Sequence, residues 1–307
     1  MKKLKLTMAC GRYDRTQPLI DGRVEPEGVD LTFIPLRPGE TFWRMLNHEE
    51  FDVSEMSLSS YTILRSEGDT RFIAIPVFPS RVFRHSAVYL RADSKIEKPE
   101  DLKGKRIGYG NLGALDHYSM VLFLRKMGWN PDRDVSMLAS GNGPQSIVRD
   151  LVDAFAGTDI ALTAAKKLGL RDLVDLGPYH FVMPGSGVNA LSEWLPKNRA
   201  TAARFMKATV EAIALMKTDK KAAFASMTKW YGISDPEKLE AVYAEAARLP
   251  SKPYPSVEGL KIMQSIYTWR EMTMRNPEDF TDPSFIAELD RSGYIDSLYG
   301  KSAAAKD

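Results

Sequence analysis

Phe51-Asp-Val-Ser-Glu-Met-Ser-Leu-Ser-Ser-Tyr61 decides how the first third of the chain is read. Phe51–Met56 reads as a strand that runs straight into Ser57-Leu-Ser-Ser-Tyr61, a hydroxyl-rich turn opening the next element. Upstream, Leu4–Cys10 reads as a first strand and Val29-Asp-Leu-Thr-Phe-Ile34 as a second, with Leu31 and Phe33 on one face. Pro18, Gly22, Pro26 and Gly28 punctuate the stretch between them. Thr41–Leu46 carries Phe42, Met45 and Leu46 at helical spacing, and Phe72–Pro76 reads as a fourth strand. Strand–helix alternation of this kind predicts parallel sheets with helices on both faces.

A second run begins at Ser86-Ala-Val-Tyr-Leu90. Pro99-Glu-Asp-Leu-Lys-Gly104 is a short helical turn closed by glycine, Arg106-Ile-Gly-Tyr109 a strand, and Ala114–Met127 a helix with Tyr118, Leu122 and Met127 along one side. Val135–Leu138, Gln145–Leu151 and Asp153–Ala156 continue the rhythm, and the step around Leu151–Asp153 leaves almost no room for a turn. From Leu191 onward the chain reads as mostly helical. Ala202, Phe205, Met206, Thr209, Ile213 and Met216 recur at three- and four-residue steps, an apolar helix face. Tyr231-Gly232 reads as a helix stop, and Asp235-Pro236 and Asp282-Pro283 as N-caps followed by proline.

The expectation is therefore a two-lobed α/β fold with a helical C-terminal third. Residues 1–85 and 190–307 form one lobe and 90–182 the other, with crossing segments near 82–90 and 182–192. The size fits: 307 residues suffice for two cores. With 42 basic against 40 acidic side chains the net charge is +2, which argues against a nucleic-acid protein. Cys10 is the only cysteine, so neither an intramolecular disulfide nor a thiolate metal cluster is expected. His48, His85, His117 and His180 are scattered, and no metal is expected. Met1-Lys-Lys3 and Leu6–Cys10 leave no room for the apolar run of a secretory signal, and no stretch approaches the roughly 20 apolar residues of a membrane span. A cytoplasmic location follows from this reading, or a periplasmic one if a leader has been removed.

In open parallel sheets, ligands bind beyond the carboxyl ends of the strands. After the first strand stand Arg12, Tyr13, Asp14 and Arg15; after the third, Ser57, Ser59 and Ser60; after Arg106–Tyr109, Gly110-Asn111-Leu-Gly113. Each has a plain structural reading beside the functional one: Ser57–Ser60 as a helix cap, Gly110–Gly113 as a tight turn with Asn111 as cap. The glycine loop lacks the spacing and lysine of a nucleotide site. Arg81-Val-Phe-Arg84-His85 is the densest cluster of functional groups: arginine suits bidentate carboxylate binding, and histidine exchanges a proton near neutrality. His48 reads as a plain helix-end residue, whereas His117 and His180 stand where a ligand contact is possible.

Tyr13-Asp-Arg-Thr16, Pro18-Leu-Ile-Asp-Gly-Arg-Val24, Phe51–Tyr61, Ile73-Ala-Ile-Pro-Val-Phe-Pro-Ser-Arg81 and Phe83-Arg-His-Ser86 together resemble the 4,5-dihydroxyphthalate decarboxylases, over about the first 105 residues. Farther on, Pro99–Gly108, Asp153-Ala154, Asp279-Phe-Thr-Asp282 with Phe285, and Ser292-Gly-Tyr-Ile-Asp296 resemble the solute-binding proteins of nitrate, sulfonate and taurine transporters, a group that includes thiamine-pyrimidine-synthesis-like proteins. Both resemblances imply the type 2 periplasmic-binding-protein fold. Tyr109-Gly-Asn-Leu-Gly113 follows the transporter-type pattern, where the decarboxylases carry a Pro-Glu-Tyr-Gln-like segment.

Two functions follow from these resemblances. One is decarboxylation of a hydroxylated aromatic carboxylate without a cofactor, with the ligand held between the lobes. Placement and chemistry assign His85 as the acid and Arg15 and Arg84 as the clamp on the carboxylates, with Ser57, Ser59 and Ser60 as hydrogen-bond donors and Arg81 as a further candidate contact. Tyr13, Asn111 and Gly113 are the remaining candidate contacts. The other is a binding module for a small organic anion, either a cytoplasmic sensor or, if exported, a partner of an ABC-transporter permease.

Overall fold

Alternation builds the first sheet. In β1 (Leu4–Cys10), Leu6, Met8 and Cys10 are buried on one face. It pairs in parallel with β2 (Val29–Pro35) and with β3 (Val53–Ser57). The structure, a computed structural model, describes residues 3–80, 86–141, 143–182, 185–267 and 270–300. The chain divides into two units, Met1–Val82 with Pro184–Asp307, and Phe83–Met183.

In the first unit the sheet order is β2-β1-β3-β10-β4, where β4 is Phe72–Ser80 and β10 is Ser186–Leu191. β10 runs antiparallel to both β3 and β4, so the sheet is mixed rather than parallel as the alternation predicts. Local periodicity shows that a segment is a strand; its direction depends on where the chain re-enters. The Arg199–Thr218 helix packs Phe205, Met206, Val210 and Ile213 onto Met8, Val53 and Val188. Fully burying each large apolar side chain is worth about 1.5–3 kcal/mol. All six residues of its sequence-predicted face are buried.

The second unit repeats the plan. Its order is β7-β6-β8-β5-β9, with β5 Ser86–Leu90, β6 Arg106–Tyr109, β7 Ser136–Ala139, β8 Ala154–Thr158 and β9 Arg171–Asp175. β6 is parallel to β7 and β8, whereas β5 is antiparallel to β8 and β9. The Leu115–Lys126 helix buries Tyr118, Met120, Val121, Phe123 and Leu124, a wider face than the expected stripe, and Leu122 is only half-buried.

The abrupt step before β8 has a physical cause. Asp150 adopts φ 56°, the left-handed region, and ends the Gln145–Val148 helix. Its N–H donates to the Ile147 carbonyl at 3.0 Å, and that of Leu151 to Ser146 at 3.0 Å. This pair of bonds reverses the chain in two residues. Gly232, at φ 66°, stops the Lys220–Tyr231 helix, and Asp235 caps the next one by accepting from the Lys238 N–H at 2.8 Å. The helix after Asp282 starts one residue later than the sequence suggests, at Ser284.

Candidate functional site

β3 places a carboxylate where its alternation calls for an apolar side chain. Glu55 shares a face with Val53, beside Met8 and Cys10 of β1 and Val188 of β10, and is fully buried. A carboxylate in that position is unfavourable unless hydrogen-bonded. Four donors meet it. Oε1 accepts from the Tyr13 hydroxyl at 2.8 Å and from Ser186 Oγ at 2.5 Å; Oε2 accepts from the Gly11 N–H at 2.9 Å and, more weakly, from Cys10 Sγ at 3.5 Å. Burial, followed by the Glu55 charge, pushes both the Tyr13 hydroxyl and the Cys10 thiol far above their ordinary ranges. Both groups therefore stay protonated, as donors.

The turn after β1 is wrapped tightly around this carboxylate. A Cβ at Gly11 would lie 2.6 Å from the Tyr13 ring, so the ring's position requires glycine. Thr16 Oγ1 donates to the Gly11 carbonyl at 3.2 Å and accepts from the Tyr13 N–H at 3.1 Å. The Arg15 guanidinium lies over the Tyr13 ring, 4.4 Å from its centroid, and Nη1 reaches Asp14 at 2.8 Å. Both charged side chains are largely enclosed, with 12% of Arg15 and 6% of Asp14 exposed. Asp14 in turn donates its N–H to the Tyr231 hydroxyl at 2.9 Å, and burial, with the Asp14 charge second, pushes that phenol up to about 12. Arg15 also lines a depression with Ile213, Met216, Lys217 and Tyr243.

Ser57 ends β3 and caps the Leu58–Ser66 helix, accepting from the Ser60 N–H at 3.4 Å. Its Oγ also lies 2.8 Å from Ser59 Oγ, and all three serines are half-buried. Because β1 and β3 are neighbours, the structure gathers Tyr13 and Ser57–Ser60 at the same sheet edge, with Glu55 and Ser186 beneath. Arg81, Arg84 and His85 lie outside the described residues.

In the second unit the glycine segment after β6 is a turn held by Asp116. Its Oδ2 accepts from the Gly110 N–H at 2.8 Å and its Oδ1 from the His117 N–H at 2.8 Å. Asn111 is exposed and does not cap the helix with its side chain; its carbonyl accepts from the Ala114 N–H at 3.0 Å. Gly113 is buried at φ 80° and donates its N–H to His117 Nδ1 at 3.4 Å. His117 packs against Tyr109 with ring centroids 4.5 Å apart, and burial lowers its pKa to about 4. The imidazole is thus neutral at pH 7, with its proton on Nε2. Burial likewise pushes the Asp116 carboxyl up, against the opposing pull of the Gly110 and His117 N–H groups. His48 and His180 are exposed at helix ends.

Sequence reasoning misses Glu55 and Ser186. The available signal for Glu55 is a charged residue in phase with Val53 at the end of a buried strand. Ser186 gives none, since its partner is 131 positions away. Among the described residues no cluster of three or more metal-binding side chains occurs, and no helix is long and apolar enough to cross a membrane.

Two α/β units, each a mixed five-stranded sheet with polar groups gathered at strand ends, define a periplasmic-binding-protein-like architecture. The chain belongs to the NMT1/THI5-like family, whose model matches residues 26–223. It is 54% identical over 108 residues to a 4,5-dihydroxyphthalate decarboxylase of Comamonas testosteroni, a match covering 35% of this chain and 33% of that protein. With a 4,5-dihydroxyphthalate decarboxylase of Pseudomonas putida it shares 43% identity over 141 residues, 46% of this chain and 55% of that one. The matched region thus spans a third to about half the length of these curated relatives. The alkanesulfonate-binding protein SsuA from Xanthomonas axonopodis pv. citri, bound to MOPS, superposes with a TM-score of 0.62 over 87% of this chain and 92% of its own, at 17% identity. That likeness is one of fold.

Proposed function

We propose that the chain is a cofactor-independent decarboxylase of a hydroxylated aromatic dicarboxylate of the 4,5-dihydroxyphthalate type. The observation that carries this reading is the 54% identity over 108 residues to an enzyme of that name. The chemistry needs little machinery. A proton adds to the ring carbon bearing the leaving carboxylate, and the hydroxyl para to it supplies electron density. The carbon–carbon bond then breaks, carbon dioxide departs, and the bonding pair stays with the ring. The protein must fix the carboxylates, deliver one proton and exclude water.

In this account Arg81 and Arg84 hold the carboxylates and His85 delivers the proton, while Ser57, Ser59 and Ser60 offer hydroxyls at the edge of the first sheet. Arg15 is a further candidate for the carboxylates, and its charge is already balanced by Asp14. Asn111, exposed, and Gly113, whose N–H is given to His117, are further candidate contacts. The test is carbon dioxide release from 4,5-dihydroxyphthalate by wild type and by His85→Asn. Loss of turnover in the variant at unchanged fold supports His85 as the acid; equal turnover removes it from the mechanism.

A second reading has its own support: the fold likeness to a sulfonate-binding protein extends over most of both chains. On that reading the same groups bind a small carboxylate or sulfonate without reaction. The chain then serves as a sensor, or delivers the anion to a transporter permease if it is exported.

A further inference from the structure

We propose that Glu55 is a positioning residue, holding the Gly11–Tyr13 turn and the Ser186 end of β10 on either side of the Ser57–Ser60 turn where the ligand is bound. This role rests on the functional reading above for its ligand, but its geometry stands independently. β3 is the central strand of the first sheet, and its ladder with β1 covers only Met8–Val53 and Ala9–Ser54. Beyond Ala9–Ser54 that ladder ends, and the Glu55 side chain continues the connection, with Oε2 on the Gly11 N–H and Oε1 on the Tyr13 hydroxyl. On its other flank Oε1 holds Ser186, which lies opposite Ser57 in the register of β10. The next backbone bond, from the Leu58 N–H to the Gly185 carbonyl at 3.3 Å, fastens the same place to the helix that carries Ser59 and Ser60. One carboxylate thus sets the relative positions of three segments that meet at the strand ends.

Stability alone does not call for a glutamate here. Its neighbours on the same face are Val53, Met8 and Val188, and an apolar residue would extend that core without desolvating a charge. The four donors match an acceptor-only group; Gly11, Tyr13 and Ser186 belong to segments bordering the candidate site, whereas Cys10 belongs to the core. Substituting Glu55 should therefore disturb the site's edge more than the fold.

The experiment is hydrogen exchange on full-length wild type and Glu55→Gln, followed by steady-state kinetics on 4,5-dihydroxyphthalate. Glutamine keeps the shape but cannot accept at both ends. The expected result is exchange at the amides of residues 11–13 faster by about tenfold or more, the size of one lost charge-assisted hydrogen bond. Exchange in β2 should accelerate clearly less than at residues 11–13, and KM should rise more than kcat falls. Tyr13→Phe, which removes one donor and leaves the carboxylate, carries the same readout if the glutamine variant does not fold. Unchanged exchange at residues 11–13, or equal acceleration throughout the first unit, would overturn the proposal. A wild type that turns over no substrate refutes the decarboxylase instead, and local exchange then decides the role of Glu55 alone.

Discussion

The phenol of Tyr13 points inward, donating to Oε1 of the buried Glu55 at 2.8 Å, and its ring carries the Arg15 guanidinium on its face. The residue that the sequence places at the strand end as a ligand contact therefore spends its hydroxyl on a carboxylate of the same sheet. Removing that hydroxyl leaves the carboxylate one donor short. Tyr13→Phe is expected to lower unfolding free energy by about 1.5–3 kcal/mol, the usual worth of a hydrogen bond to a charged group, as read by urea denaturation.

The same contact makes stability depend on alkaline pH. Cys10 and Tyr13 both have folded values raised above their ordinary 9.0 and 10.0, so the folded state holds protons that the unfolded chain releases. Their contribution is fully present below about pH 9 and declines as pH rises through 9 and 10. Urea midpoints measured from pH 8 to 11 should fall, and the fall should be shallower in Tyr13→Phe. An equal slope in both proteins would mean that Tyr13 is not the group involved.

Gly11→Ala sets a methyl 2.6 Å from the Tyr13 ring and forces it off Glu55. The expected loss is about 1–3 kcal/mol, as for other overpacked sites. The effect should be non-additive: with Tyr13 already cut back to alanine, Gly11→Ala should cost little further. Full additivity in thermal melts would contradict the ring contact.

His117 works in the acid range. Its value is lowered from 6.5 to about 4 by burial, so the unfolded chain binds a proton there before the folded one does. Stability is complete above about pH 6.5 and falls as pH drops towards 4, by up to about 3 kcal/mol from this residue. An NMR titration should show the His117 ring still neutral at pH 5.5, where exposed histidines are charged. A midpoint near 6.5 would refute the buried, Nε2-protonated imidazole.

Asp150 occupies the left-handed region at φ 56° where glycine is at ease, and its contact with Arg106 is exposed. Asp150→Gly should stabilise the second unit by about 0.5–1 kcal/mol, because the backbone strain relieved exceeds the little such a surface pair contributes. Chemical denaturation gives the sign directly.

Much of the fold is legible from local pattern. Leu4–Cys10, Ser86–Leu90 and Arg106–Tyr109 are strands with the bounds their apolar runs suggest, and Gly11 and Gly110 directly follow the first and the third. The directions of β5 and β10 are not legible, since antiparallel and parallel neighbours share one side-chain period. The turn at Asp150 is hidden because an aspartate stands where a glycine would announce it. At the site, the hydroxyls of Ser57–Ser60 are visible as strand-end residues, but Glu55 is not. A lone glutamate in a strand ordinarily faces water, and only the packing of β1 and β10 on either side shows that this one does not.

The central claim is that this chain removes a carboxylate from a hydroxylated aromatic acid, and trapping of carbon dioxide from purified wild-type protein incubated with 4,5-dihydroxyphthalate tests it most directly. The account predicts one carbon dioxide and one dihydroxybenzoate per substrate consumed, over many turnovers and with no added cofactor. Well-folded protein that releases no carbon dioxide, yet binds phthalate or an alkanesulfonate in calorimetry, would contradict it and establish the binding-protein reading in its place.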